Sequence, residues 1–376
     1  MPRFSLQNKR QVLGLIVANI GFSLSLCQAQ QPSFKDSPTS QVLVQRASDF
    51  HKGICVEGGP ALLFCHANEL VSLGATHISL NPFGWMNGID QPQVLTRTGS
   101  RGNPESRWWG ESDEGLLAYT QQAQANGLRV MLRPHIWLRK NTNANGDSVW
   151  LGDIWFESEA DWAIFEQSYT DYALHYARLA EQGNMEWYSI GAEMTLISTN
   201  RPDYWRGLIK QIRAVYSGKL IYSANWYQEV ERITFWDDLD AIGVQAYFPI
   251  ADEELPSNEE LRAGWQPHLA MLKTLAEKTN RPVIFTEIGY KSTTCAAESP
   301  WEWEGRGAID PDFQARCYQV TLDVLKDQPW LQGLYWWKYH VNPCNKLGQL
   351  PRRGEGSFTF QGKPATQVLQ KVFNAR

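Results

Sequence analysis

Apolar residues in this chain gather into short continuous runs, separated by longer stretches in which apolar and polar positions alternate with helical spacing. Trp187-Tyr188-Ser189-Ile190-Gly191-Ala192 and Pro282-Val283-Ile284-Phe285-Thr286 are two such runs. They lack the strict apolar–polar alternation of a half-exposed strand, so they suit strands covered on both faces, as in a parallel sheet. The pattern predicts strands at 53–57, 77–81, 129–134, 187–191, 220–224, 241–246, 283–286 and 333–337. It predicts helices at 68–74, 113–126 (with Gly127 as the stop), 158–182, 204–216, 258–278 and 312–326, and a closing helix at 363–373. Residues 82–86 read as a loop running on from the second strand, and 87–112 as a long polar, glycine-rich loop. Eight strands alternating with helices predict an α/β fold, a (β/α)8 TIM barrel forming a single domain over 48–376. A doubly wound sheet is the alternative, but no Gly-x-Gly-x-x-Gly motif supports it.

In such a barrel the chemistry sits where strands end at their carboxyl side. Those ends carry Asn81, Arg133, His135, Trp137, Glu193, Asn225, Trp226, Tyr247, Glu287, Trp336, Trp337 and Lys338. The set is polar and aromatic where core ends would be aliphatic, and it reads as a sugar-binding cleft holding two carboxylates. A single Glu at a strand end can merely close a salt bridge. Two at matching ends supply what glycoside hydrolysis needs: a proton for the leaving oxygen, and an ionised group to attack or stabilise the anomeric carbon. Arg133 is placed to favour the ionised form of a neighbouring carboxylate. Tyr247 is placed to hydrogen-bond the nucleophile. His135 either tunes the site or grips a hydroxyl, and a histidine simply satisfied within a polar rim remains open. Trp336 and Trp337 are successive strand residues, so they face opposite sides, and Trp337 is the expected sugar platform.

Five ordered motifs resemble glycoside hydrolase family 113, of clan A. They are Arg133-Pro134-His135-Ile136-Trp137, Ile190-Gly191-Ala192-Glu193, Tyr247-Phe248-Pro249, Phe285-Thr286-Glu287-Ile288-Gly289-Tyr290 and Gly333-Leu334-Tyr335-Trp336-Trp337-Lys338. The resemblance covers roughly residues 50–373. It implies a retaining endo-β-1,4-mannanase with Glu193, ending strand four, as acid/base and Glu287, ending strand seven, as nucleophile. The partner it implies is a β-linked, mannan-type polysaccharide or oligosaccharide. One departure is Ala192, where much of the clan has an Asn that holds the sugar 2-hydroxyl; Asn225 is the expected substitute donor. Rival readings stay open: a clan relative cutting another β-linked glycan, an exo-acting β-mannosidase, or a barrel that binds carbohydrate without catalysis.

Composition narrows the picture further. The 376 residues are 12% aromatic and include 17 Trp, a supply that a groove stacking on sugar faces uses. A net charge of −5 argues against nucleic acid or an anionic membrane as partner. Residues 1–29 read as an export signal: Arg3, Lys9 and Arg10 precede an apolar stretch at 12–26 and a small-residue cleavage site. Lipid anchoring at Cys27 is the less favoured variant and the sole expected route to a membrane. Residues 30–47 read as a linker. Export permits disulfides, and Cys55, Cys65, Cys295, Cys317 and Cys344 follow the signal. Rim topology favours Cys295–Cys344. Glu302 and Glu304 read as loop solvation, with a subsite contact as the alternative. No metal spacing, phosphate loop or serine nucleophile elbow occurs, and no protein partner, metal or cofactor is implied.

Overall fold

A computed structural model describes residues 50–96, 103–106, 108–143, 145–304, 306–352 and 354–375. The expected signal, Cys27 and the linker lie outside the described residues. The strands are β1 (His51–Val56), β2 (His77–Leu80), β3 (Phe83–Met86), β4 (Arg129–Leu132), β5 (His135–Leu138), β6 (Trp187–Ala192), β7 (Lys219–Asn225), β8 (Ala241–Gln245), β9 (Val283–Ile288) and β10 (Leu331–Tyr339). All but β3 and β5 pair in parallel into one closed barrel, in the order β1-β2-β4-β6-β7-β8-β9-β10 and back to β1. This is the (β/α)8 architecture that the alternation of buried runs and amphipathic stretches predicts.

The helices are α1 (Phe64–Ser72), α2 (Asp113–Ala125), α3 (Glu159–Gln182), α4 (Thr195–Asn200), α5 (Pro202–Arg213), α6 (Asn258–Thr279), α7 (Pro311–Leu325) and α8 (Pro364–Phe373). Ser112, Ser158, Ser257 and Asp310 cap α2, α3, α6 and α7, each accepting a backbone N–H of the first turn. Between β7 and β8 the described regular structure is a single 3-10 turn, Trp236–Asp238. Among the described residues, no helix is long and apolar enough to cross a membrane.

Three expectations need correction. Residues 83–86 are not a loop: β3 pairs in parallel with β5, Phe83 against His135 through Met86 against Leu138. Pro82 and Pro134 separate these short strands from the barrel strands β2 and β4, because proline has no amide hydrogen for the ladder. The residues before them, Asn81 and Arg133, are held extended by the same rings. Secondly, α1 begins at Phe64 rather than 68, and α4 was not anticipated. The first turn of α1 opens on exposed Phe64, so it shows no apolar stripe to read. Thirdly, Cys344 pairs with Cys65, with Cα atoms 6.0 Å apart, and not with Cys295. The chain leaving β10 crosses the seam to α1, the helix that follows the adjoining strand β1. Cys295 stays a buried thiol whose Sγ donates to Glu254 Oε1 at 3.1 Å.

The barrel interior is layered. At the amino-terminal end His51 and His77 stack with ring centroids 3.9 Å apart, and Trp187 meets His51 edge-on. Glycines make room for this: a Cβ on Gly333 would lie 2.3 Å from that of His51, and one on Gly53 would enter the Tyr335 ring. Cys55, Met131, Ile221, Ala241 and Ile284 also belong to this interior cluster. Outside the barrel, Trp265 of α6 stacks on Phe285 and Tyr318 of α7 on Trp336. The upper, carboxyl end is polar, and it is where the candidate residues converge.

Candidate active site

Both glutamates reach the rim through an irregular register. On β9 the step from Phe285 to Glu287 is matched by the single step from Val244 to Gln245 on β8. Phe285 faces the helices, so regular alternation would send Glu287 outward as well. The extra residue, Thr286, turns it inward beside Gln245, itself paired with Asn225 on β7. On β6 the three steps from Ser189 to Ala192 match two on β7, and Glu193 follows immediately. Bulges at the ends of barrel strands commonly re-aim a side chain in this way.

Glu193 adopts φ +54°, the left-handed region, which costs a non-glycine residue about 1–3 kcal/mol. Two bonds hold it there: Glu193 N–H to Ser223 O at 3.0 Å, and Met194 N–H to the Tyr222 hydroxyl at 2.9 Å. Its Oε1 accepts from Asn225 Nδ2 at 2.7 Å, and its Oε2 lies 3.5 Å from His135 Nε2. Asn225 Oδ1 is occupied by the Tyr227 N–H at 2.8 Å. The amide expected to reach a sugar hydroxyl is therefore already committed on both of its heavy atoms, with one amide hydrogen left.

Glu287 is 7% exposed and accepts at both oxygens. Arg133 Nη2 pairs with Oε1, and the Tyr247 hydroxyl donates to Oε2 at 2.6 Å. Burial pulls the Arg133 guanidinium down, but Glu287, Cys55 and Tyr247 together outweigh it, so its proton is held more tightly than usual. Burial first, and the Glu287 charge second, push the Tyr247 phenol well above its ordinary range, so the hydroxyl remains a donor.

Around these acids lies an aromatic rim. Trp337 is half-buried, and Lys338 Nζ sits 5.1 Å from its ring centroid and 5.7 Å from that of Trp303. Lys338 also pairs with Glu57 at 3.0 Å, and Glu57 pairs with His340. Burial works to raise the Glu57 carboxyl, yet His340 and Lys338 bring it down to about 2. Trp137 on β5 is 59% exposed, with Phe83 meeting it edge-on. Trp226 packs on Phe248 and on Trp301. Asn81 is buried, its amide bonded to Ser79 and the Val56 carbonyl.

Trp336 is corrected: it is fully buried against Tyr318 of α7 and faces away from the cleft. Sequence reasoning also missed Glu57, His340 and Trp303 as neighbours of the site, along with Phe358, whose ring meets Tyr247 edge-on at 5.8 Å, and Glu229, which accepts from the Asn225 backbone N–H. The tryptophan alternation in Trp301-Glu302-Trp303-Glu304 was the one available signal for the loop after β9.

A closed parallel barrel with paired acids and an aromatic rim at its carboxyl end has the form of a sugar-cleaving site. The sequence profile of Glycoside Hydrolase Family 113 matches residues 107–362, and the chain belongs to that family; it is a glycoside hydrolase. A GH113 β-1,4-mannanase structure superposes with TM-score 0.70 at 24% identity, over 87% of this chain and 100% of that one. The GH113 β-mannanase AaManA from Alicyclobacillus acidocaldarius, in complex with ManMIm, gives TM-score 0.69 at 26% identity, over 86% and 97%. A β-glucuronidase from Ruminococcus gnavus shares the fold alone: 13% identity and TM-score 0.55, over 86% of this chain and 50% of that one. No curated protein matches the chain.

Proposed function

We propose that this protein is a retaining endo-β-1,4-mannanase that works by double displacement, with Glu287 as nucleophile and Glu193 as acid/base. The observation that carries the reading is the contrast in partners. Both oxygens of Glu287 accept hydrogen bonds, one from the Arg133 guanidinium and one from the Tyr247 hydroxyl, which is the setting of an anion. Glu193 rests on a neutral amide and an imidazole, neither of which locks it into an ion pair across a fixed short bond. In the first step Glu287 attacks the anomeric carbon while Glu193 passes its proton to the departing glycosidic oxygen. In the second Glu193 takes a proton from the attacking water, and the glycosyl–Glu287 ester is cleaved. Tyr247 and Arg133 hold the nucleophile in line throughout.

Trp337 and Trp137 present ring faces for sugar stacking, and Trp226, Asn81, Asn225, His135 and Lys338 complete the cleft. Mannan as substrate draws on the β-mannanase neighbour at 26% identity. Export to an oxidising compartment, with residues 1–29 as signal, draws support from the Cys65–Cys344 disulfide.

The test is product analysis on β-1,4-mannan, glucomannan, xylan and cello-oligosaccharides, with Glu193→Gln and Glu287→Gln in parallel. Internal cleavage of mannan, with the β-anomer appearing first by NMR and lost in both variants, is the expected result. Initial α-anomer would sink the retaining mechanism. Cleavage of another polymer would sink the mannan assignment, and mannose released only from chain ends would make the enzyme exo-acting. Binding without cleavage would leave a carbohydrate-binding barrel.

A further inference from the structure

Glu229 lies in the loop after β7, fully buried, and no ion pair reaches it among the described residues. Burying a carboxylate is expensive unless hydrogen bonds replace its hydration. Here four donors do so. Oε1 accepts from Ser198 Oγ and from the Tyr222 hydroxyl, both at 2.6 Å. Oε2 accepts from the Asn225 backbone N–H at 2.6 Å and from Thr195 Oγ1 at 3.4 Å.

The identity of these donors is informative. Thr195 and Ser198 belong to α4, the short helix that starts two residues after Glu193. Asn225 is the residue whose side chain holds Glu193. Tyr222 donates to Glu229 and accepts from Met194 N–H, one of the two bonds that keep Glu193 in its left-handed conformation. Every donor thus comes from the helix that follows directly on Glu193 or from the strand that carries its amide partner. An acid serving only to tie the loop down has no need of this selection. Burial, opposed by these hydrogen bonds and assisted by the charge of Glu193, puts the Glu229 carboxyl at about 7, so the two acids sense each other.

We propose that Glu229 is a positioning residue for Glu193: it clamps Asn225 and the Glu193–Thr195 turn into one unit, keeping the Glu193 carboxyl aimed at the glycosidic oxygen. The proposal rests on the reading of Glu193 as acid/base. It acts on proton transfer and leaves sugar binding and the nucleophile alone, and this separates it from a structural role. A leaving group that departs without a proton does not need a well-aimed acid.

The experiment compares kcat/KM on β-1,4-mannohexaose, a poor leaving group, and on 2,4-dinitrophenyl β-mannobioside, a good one. It uses the full chain as wild type, Glu193→Ala, Glu229→Gln, Tyr222→Phe and Ser198→Ala. Expected for Glu229→Gln is a loss on the order of tenfold or more on mannohexaose, within the range a general acid supplies, against less than about threefold on the activated glycoside. KM for mannohexaose should stay near wild type. Tyr222→Phe and Ser198→Ala each remove one donor and should show the same contrast more weakly, which decides the matter if Glu229→Gln does not fold. Equal losses on both substrates, or no loss, in variants with wild-type melting would overturn the positioning role. If Glu193→Ala shows the contrast and the Glu229 set does not, only this proposal falls. If Glu193→Ala itself shows none, the acid/base assignment falls first.

Discussion

Glu287 is gripped from two sides, by Arg133 beyond β4 and Tyr247 beyond β8, while Glu193 leans on Asn225 and His135. The two acids are the same residue type, and both follow a bulge at the end of a parallel strand. What differs is what surrounds them. On the Glu287 side every contact is a donor that keeps its proton, so the carboxylate has nothing to exchange. On the Glu193 side the imidazole donates or accepts according to its tautomer, and the amide is neutral, which suits the acid/base role proposed for it. Roles at such a rim are therefore assigned by neighbours and not by the acid itself.

The sharpest way to break this comparison is to treat the two acids alike. On the proposed mechanism and substrate, Glu287→Gln should lower kcat by several orders of magnitude on mannan oligosaccharides and on 2,4-dinitrophenyl glycosides alike, because no leaving group substitutes for a missing nucleophile. Should Glu287→Gln keep its rate on the activated substrate, the two roles are reversed. Next in size, Tyr247→Phe removes one donor from Glu287 and should cost roughly 10²-fold in kcat, comparable to losing one preorganised donor at a reacting centre. A change confined to KM would instead make Tyr247 a sugar contact.

The two remaining predictions concern parts of the barrel that touch neither acid. Joint Cys65→Ser and Cys344→Ser replacement should lower unfolding free energy by about 2–4 kcal/mol in urea titrations, with kcat at 25 °C within about twofold of wild type. A large kcat loss would show that the seam shapes the rim. The smallest effect is at the far end. Burial, then the charges of His77, Arg129 and Lys219, depress the proton affinity of His51 well below the ordinary histidine value. As pH falls through about 6.5, the unfolded chain takes up a proton that the folded barrel refuses, so stability present above that pH is lost below it. Urea midpoints between pH 8 and pH 5 should fall less steeply in His51→Gln; an unchanged slope would assign the decline to other groups.

Most of the barrel was legible in the sequence because its strands are buried on both faces and its helices on one, and each leaves its own period. The two glutamates were legible because a charge closing an apolar run has no packing role. The aim of those glutamates was not, since a bulge such as that at Thr286 appears only when β9 is paired with its neighbours. Period-two alternation separated Trp336 from Trp337, and the packing of Trp336 on Tyr318 agrees with the choice of Trp337 for the cleft. Glu229 left no trace: Gln228-Glu229-Val230-Glu231-Arg232 reads as a solvated loop, and its burial comes from the loop folding back over α4. The disulfide was misread because the expectation followed the neighbouring loops of β9 and β10, while the bond crosses the seam from β10 to the helix after β1.

That bond has a topological consequence. Joining residues 65 and 344 turns nearly the whole barrel wall, from α1 through β10, into a covalent loop, leaving β1 and α8 on the tails outside it. A protease that severs one peptide bond anywhere within the loop opens a circle without freeing a fragment. The nicked molecule keeps its mass on a non-reducing gel and separates in two only when thiol is added.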